Sequence, residues 1–194
     1  MTNTENQASR KAPGRLVSGV VDWTDLIVCA FALVAVVFTF VVRVITVDGS
    51  SMNPTYYDQD RVLVSSLGEE IQQGDVVIIV NTLSRPIIKR VIAVEGQTVD
   101  FDPQLREVTV NGIPVEGDVF GIQNGITAVP NLPGLVLEFP QKVPEGCVFV
   151  LGDNRTNSTD SRFAEVGMVD RRNILGKVVF NVYPFSKFGP VTTP

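Results

Sequence analysis

From Leu26 to Val42 the chain runs for 17 residues without a charge, with Trp23 and Asp25 just before the run and Arg43 just after it. A segment this apolar must be hidden from water, and its length sits near the lower end of what a helix needs to cross a bilayer. It reaches a useful span if Arg43 snorkels and Val44-Ile45 continue the helix. We therefore expect an uncleaved membrane-anchor helix over residues 22–45. A buried core helix is one competing reading. A cleaved signal peptide is the other, because Arg10, Lys11 and Arg15 form a basic leader. Against the latter, the run is longer than the apolar core of a signal peptide, about 7–15 residues, and Arg43 to Asp48 offers no small-x-small cleavage site.

Three basic residues precede the run and only Arg43 and Arg61 closely follow it. That bias puts the N-terminus in the cytoplasm, residues 1–21 as a polar, flexible cytoplasmic tail, and residues 46–194 outside the plasma membrane. The lipid bilayer is thus the first expected partner. Residues 44–194 carry 12 Lys+Arg against 18 Asp+Glu, a net charge of −6. Such a surface disfavours nucleic acid, whose phosphates must be met by positive charge. The chain has no histidine, which removes Ser-His-Asp and Cys-His catalysis and the commonest metal ligand. We expect no metal and no cofactor. Cys29 inside the apolar run cannot reach Cys147, so both cysteines are expected to be small buried hydrophobes rather than a disulfide.

After the run the vocabulary changes to short Val- and Ile-rich stretches: 61–64, 75–80, 87–94, 107–110, 147–151 and 176–183. Separated by Gly, Pro, Asn and Asp, they predict the strands of a mainly β domain. Val108 to Val115 is a hairpin with Asn111-Gly112 at its tip, where both residues tolerate positive φ. Scattered Gly and Pro between about 100 and 143 suggest a smaller β lobe inserted into the main sheet. The aromatics of Tyr183 to Phe188 fit either a membrane-interface contact or a packed C-terminal strap.

Three segments can carry chemistry. In Gly49-Ser50-Ser51-Met52-Asn53-Pro54-Thr55 a tight turn can aim the Ser51 amide at an oxyanion developing beside its own hydroxyl, although most such serines are only turns. In Ile87 to Val94, strand alternation sets Lys89 on the face of Ile87 and Val91, one charge in an apolar row. A lysine becomes a general base when burial lowers its pKa toward 7 or 8, and the plainer alternative is a lysine snorkelling to solvent. Gly152 to Arg162 is eleven residues with no apolar side chain directly after a strand, either a solvated loop or a functional one.

In order, Ser51-Met52-Asn53-Pro54-Thr55, Gly74-Asp75-Val76-Val77, Lys89-Arg90-Val91 and Gly152-Asp153-Asn154-Arg155 with Asn157-Ser158 and Asp160-Ser161-Arg162 resemble the boxes of bacterial type I signal peptidase. A single-pass anchor just upstream of the first box matches as well. The resemblance implies an antiparallel β-sheet catalytic domain of the signal peptidase/LexA-like type. It implies Ser51 as the acyl-forming nucleophile and Lys89 as its base, with Ser158 hydrogen-bonded to the lysine and orienting it. Asp160 would pair with Arg162 to hold the last box, whose Gly152 and Asp153 support the site. The oxyanion would be met by the Ser51 amide and a second donor at Gly49, where only backbone is available.

The implied partners are preprotein signal peptides with Ala-x-Ala-like cleavage sites. An extended substrate can add beside the strand leading into Ser51, with Ile45, Val47, Met52 and Ile88 forming shallow pockets for small side chains. Ser51 lies eight residues beyond Arg43, at most about 26 Å of extended chain, which keeps the site near the membrane. Two alternatives remain. One is an anchored β-module that binds extracytoplasmic peptides without cutting them. The other is a self-cleaving repressor of the LexA type, a class that is soluble and begins with a DNA-binding helix-turn-helix.

Overall fold

A computed structural model describes residues 15–40, 42–68, 70–115, 127 and 136–191. The chain divides into two units, one ending at Phe40 and one beginning at Val41. The first contains a single helix, α1 (Arg15–Phe40). Its described side chains are exposed, including Trp23, Leu26, Phe31 and Leu33. Cys29 is exposed there too and Cys147 is half-buried, so the expectation of two buried cysteines does not hold. Among the described residues no helix is long and apolar enough to cross a membrane.

The helix boundaries differ from expectation at both ends. Residues 15–21, expected in a flexible tail, already lie in α1, while residues 1–14 fall outside the described ones. At the other end Val44 and Ile45 do not continue the helix but belong to strand β1 (Val42–Thr46). The physical reason is local and long-range at once. Four of these five residues are β-branched, which favours the extended backbone, and the run pairs along its full length with β2 (Arg61–Ser65).

The second unit is built on antiparallel pairings. Its larger sheet adds β3 (Val76–Ile79), β4 (Ile87–Val94), β9 (Cys147–Leu151), β10 (Val169–Asp170), β11 (Ile174–Tyr183) and β12 (Gly189–Pro190). Strand order is β1-β2-β11-β3-β4-β9-β10, with β12 on β11. A smaller sheet consists of β5 (Thr98–Asp102), β6 (Glu107–Val110), β7 (Ile113–Pro114) and β8 (Gln141–Lys142), ordered β7-β6-β5-β8. This sheet lies in sequence between β4 and β9, and the Asn111-Gly112 turn joins β6 to β7 with φ of 53° and 78°. Most of the expected lobe's middle, residues 116–126 and 128–135, lies outside the described residues.

Period-two alternation sorts the core. On β3, Val76 and Ile78 pack with Val47, Met52, Tyr56, Val62, Val64 and Ile88, whereas Val77 and Ile79 pack with Val91, Val148 and Val150. Successive side chains thus serve opposite faces of the large sheet. On β9, Phe149 and Leu151 turn instead toward Val99, Phe101, Val108 and Val110 of the smaller sheet. The Tyr183–Phe188 segment packs in part, as a C-terminal strap would. Phe188 meets Phe180 edge-to-face at 4.9 Å, and yet Phe185 and Phe188 remain largely exposed.

Candidate active site

Ser51 is delivered by the edge strand β1. Val47 N–H donates to the Asp60 carbonyl at 2.8 Å and Gln59 N–H returns to the Val47 carbonyl at 2.9 Å. The chain can then turn at Gly49, whose φ of +89° is costly for any side chain. Asn53 N–H donates to the Ser50 carbonyl at 3.1 Å and Tyr56 N–H to the Met52 carbonyl at 2.9 Å. Met52, fully buried, pins this turn to the core.

Lys89 arrives from the middle of β4, opposite Val77. Its Nζ lies 2.8 Å from Ser51 Oγ and donates to the Ile88 carbonyl at 2.8 Å. The side chain is only 2% exposed. Removal from water lowers its pKa from 10.5 to about 8; the carboxylates of Asp160 and Asp153 oppose the shift, and Arg162 and Arg85 add to it. Near neutrality this amine therefore gives up its proton far more readily than a surface lysine.

Gly152 to Arg162 is polar but not a solvated loop: Asp153, Arg155, Ser158, Asp160, Ser161 and Arg162 are all buried. Two bidentate ion pairs make that possible, since a buried charge needs a partner and filled hydrogen bonds. Arg162 donates through Nε and Nη2 to the two Asp160 oxygens, both at 2.8 Å, and through Nη1 to the Arg155 carbonyl at 2.7 Å. Arg90 forks onto Asp153 at 2.8 and 2.7 Å and donates to the Gly74 carbonyl at 2.9 Å. Gly152 N–H donates to Asp160 at 3.0 Å. The segment is tied to the serine turn by Asn154, whose N–H donates to the Ser51 carbonyl and whose Nδ2 donates to the Ser50 carbonyl, each at 3.0 Å.

Ser51, Lys89, Gly152, Asp153, Ser158, Asp160 and Arg162 thus gather around one site, with three departures from expectation. Ser158 is buried beside Gly152, but its hydroxyl makes no hydrogen bond, so the anticipated contact with Lys89 is not formed. Nζ is held by Ser51 Oγ and the Ile88 carbonyl instead. Gly49 N–H is committed to the Asp58 carboxylate at 2.8 Å, which removes it as the second oxyanion donor. Met52 belongs to the core and does not line the cleft.

That cleft, of about 580 Å³, opens in front of the pair. Ile45, Val47 and Ile88 line it as expected, joined by Leu83 and Ile87 and, on the polar side, by Ser50, Asn157 and Thr159. The exposed ion pair Arg85–Asp48, 2.5 Å, sits on its lining. Sequence reasoning missed the roles of Arg90, Arg155, Asn154, Asn157 and Asp58. The one available signal was the adjacency of Arg90 to Lys89, since a strand that buries one cation in a β row must place the next on the opposite face.

Residues 20–183 match the family model described as signal peptidase, peptidase S26. Among curated proteins, the chain is 34% identical to signal peptidase I of Bacillus amyloliquefaciens over 191 residues, covering 95% of this chain and 96% of that protein. It is 30% identical to signal peptidase I S of Bacillus subtilis (strain 168), with the same two coverages. Signal peptidase IB of Staphylococcus aureus (strain COL) is 32% identical, covering 87% of this chain and 92% of that one. The chain belongs to the signal peptidase family, peptidase S26.

Proposed function

We propose that this chain is a membrane-anchored serine endopeptidase that removes N-terminal signal peptides from exported preproteins after small-x-small motifs. Ser51 is the nucleophile and Lys89 the general base. The observation that carries this reading is the 2.8 Å approach of the buried Lys89 Nζ to Ser51 Oγ.

Neutral Lys89 keeps one N–H on the Ile88 carbonyl and turns its lone pair to the Ser51 hydroxyl. As Ser51 Oγ bonds the scissile carbonyl carbon, its proton passes to Nζ and the carbonyl π pair moves onto oxygen. Lys89 then returns that proton to the departing amine, leaving an acyl-enzyme; it next takes a proton from the water that attacks the ester carbonyl, and gives that proton to Ser51 Oγ as the acyl C–O bond breaks. Among the described residues Ser51 N–H has no protein acceptor, so it is available to the oxyanion.

β1 pairs only with β2 among the described strands. An extended signal peptide adds along its open edge, with its alternate side chains over Ile45, Val47 and Ile88. In this reading the branched side chains of Ile45, Val47 and Ile88 on the cleft lining leave room for small residues. The anchor rests on α1, where Trp23, Leu26, Ile27, Val28, Phe31, Leu33, Val34 and Val36 are each at least half exposed; a helix apolar around its whole circumference calls for lipid rather than water. The basic residues before it set the N-terminus in the cytoplasm and the catalytic domain outside the plasma membrane. The test is to incubate the detergent-solubilised protein with a preprotein carrying an intact signal peptide, beside Ser51→Ala and Lys89→Ala. We expect cleavage by the native chain alone; wild-type-like cleavage by either variant would refute the pair.

A further inference from the structure

The serine turn leaves a gap in the oxyanion site that its neighbours point to filling. An oxyanion needs more than one donor to be held well in a site from which water is excluded. Ser51 N–H is free to serve, but Gly49 has no side chain and its N–H is spent on Asp58. The next residue is differently placed. Ser50 lines the cleft together with Ser51 and Lys89. Its Oγ accepts a hydrogen bond from Asn157 Nδ2 at 3.2 Å, across 107 residues of sequence.

That contact anchors the Ser50 oxygen. With Asn157 on one of its two lone pairs, the hydroxyl keeps the other lone pair and its O–H hydrogen, and among the described residues no protein acceptor takes that hydrogen. The backbone on either side is locked as well, because the Ser50 carbonyl accepts from both Asn53 N–H and Asn154 Nδ2. Asn157 is itself exposed, but it comes from the polar segment that the buried Arg90–Asp153 and Arg162–Asp160 pairs hold in place. A hydroxyl anchored at its oxygen need only rotate its O–H toward charge that develops in front of it.

We propose that Ser50 is a catalytic residue whose hydroxyl is the second oxyanion donor, and that Asn157 is the positioning residue that aims it. When Ser51 Oγ bonds the substrate carbonyl carbon and its proton goes to Lys89, the displaced π pair on oxygen is received by Ser51 N–H and Ser50 O–H together. The inference rests on the peptidase reading above and adds a residue to it.

The experiment measures kcat and KM on a preprotein, and in parallel the affinity for two peptides of the same small-residue sequence. One ends in an aldehyde, which Ser51 converts to a tetrahedral adduct bearing the oxyanion; the other is the carboxylate product. Loss of one such donor costs on the order of a hundredfold in kcat. Ser50→Ala is expected to lower kcat by about that factor with KM within twofold, and to weaken the aldehyde in parallel while leaving the product peptide unchanged. Asn157→Ala shifts the same quantities in the same direction by a smaller factor, and Ser50→Thr, which keeps the hydroxyl, restores most of the rate.

The inference is overturned if Ser50→Ala stays within threefold of the native kcat, if its aldehyde and product affinities fall together, or if Ser50→Thr loses as much as Ser50→Ala. Absence of cleavage by the native chain would instead refute the peptidase reading itself, so the two failures are distinguishable.

Discussion

Adding a single methyl group at Gly152 tests how tightly the polar segment holds the serine turn. A Cβ built there would fall well inside van der Waals distance of Ser158 Oγ and the Ser51 carbonyl oxygen, and 2.6 Å from Ser158 Cβ. None of these atoms is the loose end of a long side chain. Ser158 is fully buried, the Ser51 carbonyl is held by Asn154 N–H at 3.0 Å, and Gly152 N–H is itself held by Asp160. The strand end and the serine turn must therefore separate, by about 1 Å to restore ordinary contact. Overpacking of this kind costs roughly 1–3 kcal/mol, and a displacement of about 1 Å at reacting atoms can cost on the order of a hundredfold in rate. For Gly152→Ala we expect a loss of about 2 kcal/mol in urea unfolding and a fall of about two orders of magnitude in kcat/KM. Gly68→Ala is the control, since nothing lies within 4 Å of a Cβ at that position, and it should stay within about 0.5 kcal/mol of the native protein. Native stability and activity in Gly152→Ala would refute the claim that this segment fixes the nucleophile.

Lys89→Met should change the pH dependence of stability with a defined sign. The folded-state pKa of about 8 lies below the ordinary 10.5, so the unfolded chain binds the extra proton between those values and native stability rises with pH across that window. The variant gains about 3 kcal/mol on the native chain at pH 7, less the cost of the orphaned Ile88 carbonyl, and loses that gain by pH 10.5; a stability difference independent of pH would contradict this. Asp153→Asn should cost about 3–5 kcal/mol by leaving the Arg90 guanidinium buried without its counter-charge, and the double change Asp153→Leu with Arg90→Met should recover much of it in denaturant melts. Met52→Ala should cost about 2–5 kcal/mol without altering which residues are accepted at the cleavage site, whereas Ile88→Ala or Val47→Ala should admit larger ones. Unchanged preference in those two variants, read from the fragments of a substrate library, would remove them from the pocket.

Much of the architecture follows from local pattern. The Val- and Ile-rich runs became strands because burial on two faces of a large sheet asks for that vocabulary, and Asn111-Gly112 made its turn from positive φ alone. Lys89 was legible as a charge in an apolar row, and its burial follows from that row. What stayed hidden depends on partners far away in sequence. Val42 to Thr46 looks like the tail of an apolar helix until β2 is there to pair with it. The composition of Gly152 to Arg162 gives no hint of burial, because the burial is permitted by guanidinium–carboxylate forks, one of them closed by Arg90 some sixty residues earlier. The commitment of Gly49 N–H to Asp58 is equally silent in sequence, and it redirects attention from Gly49 to Ser50.

The central claim is that buried, neutral Lys89 takes the proton of Ser51. It is tested most directly by the pH dependence of kcat/KM for preprotein cleavage, which reports ionisations of the free enzyme. With Lys89 titrating at about 8, kcat/KM should rise about tenfold per pH unit on the acid side and level off above that value. A profile already flat from pH 6, or one still climbing toward 10.5 as an ordinary lysine would require, would contradict the account.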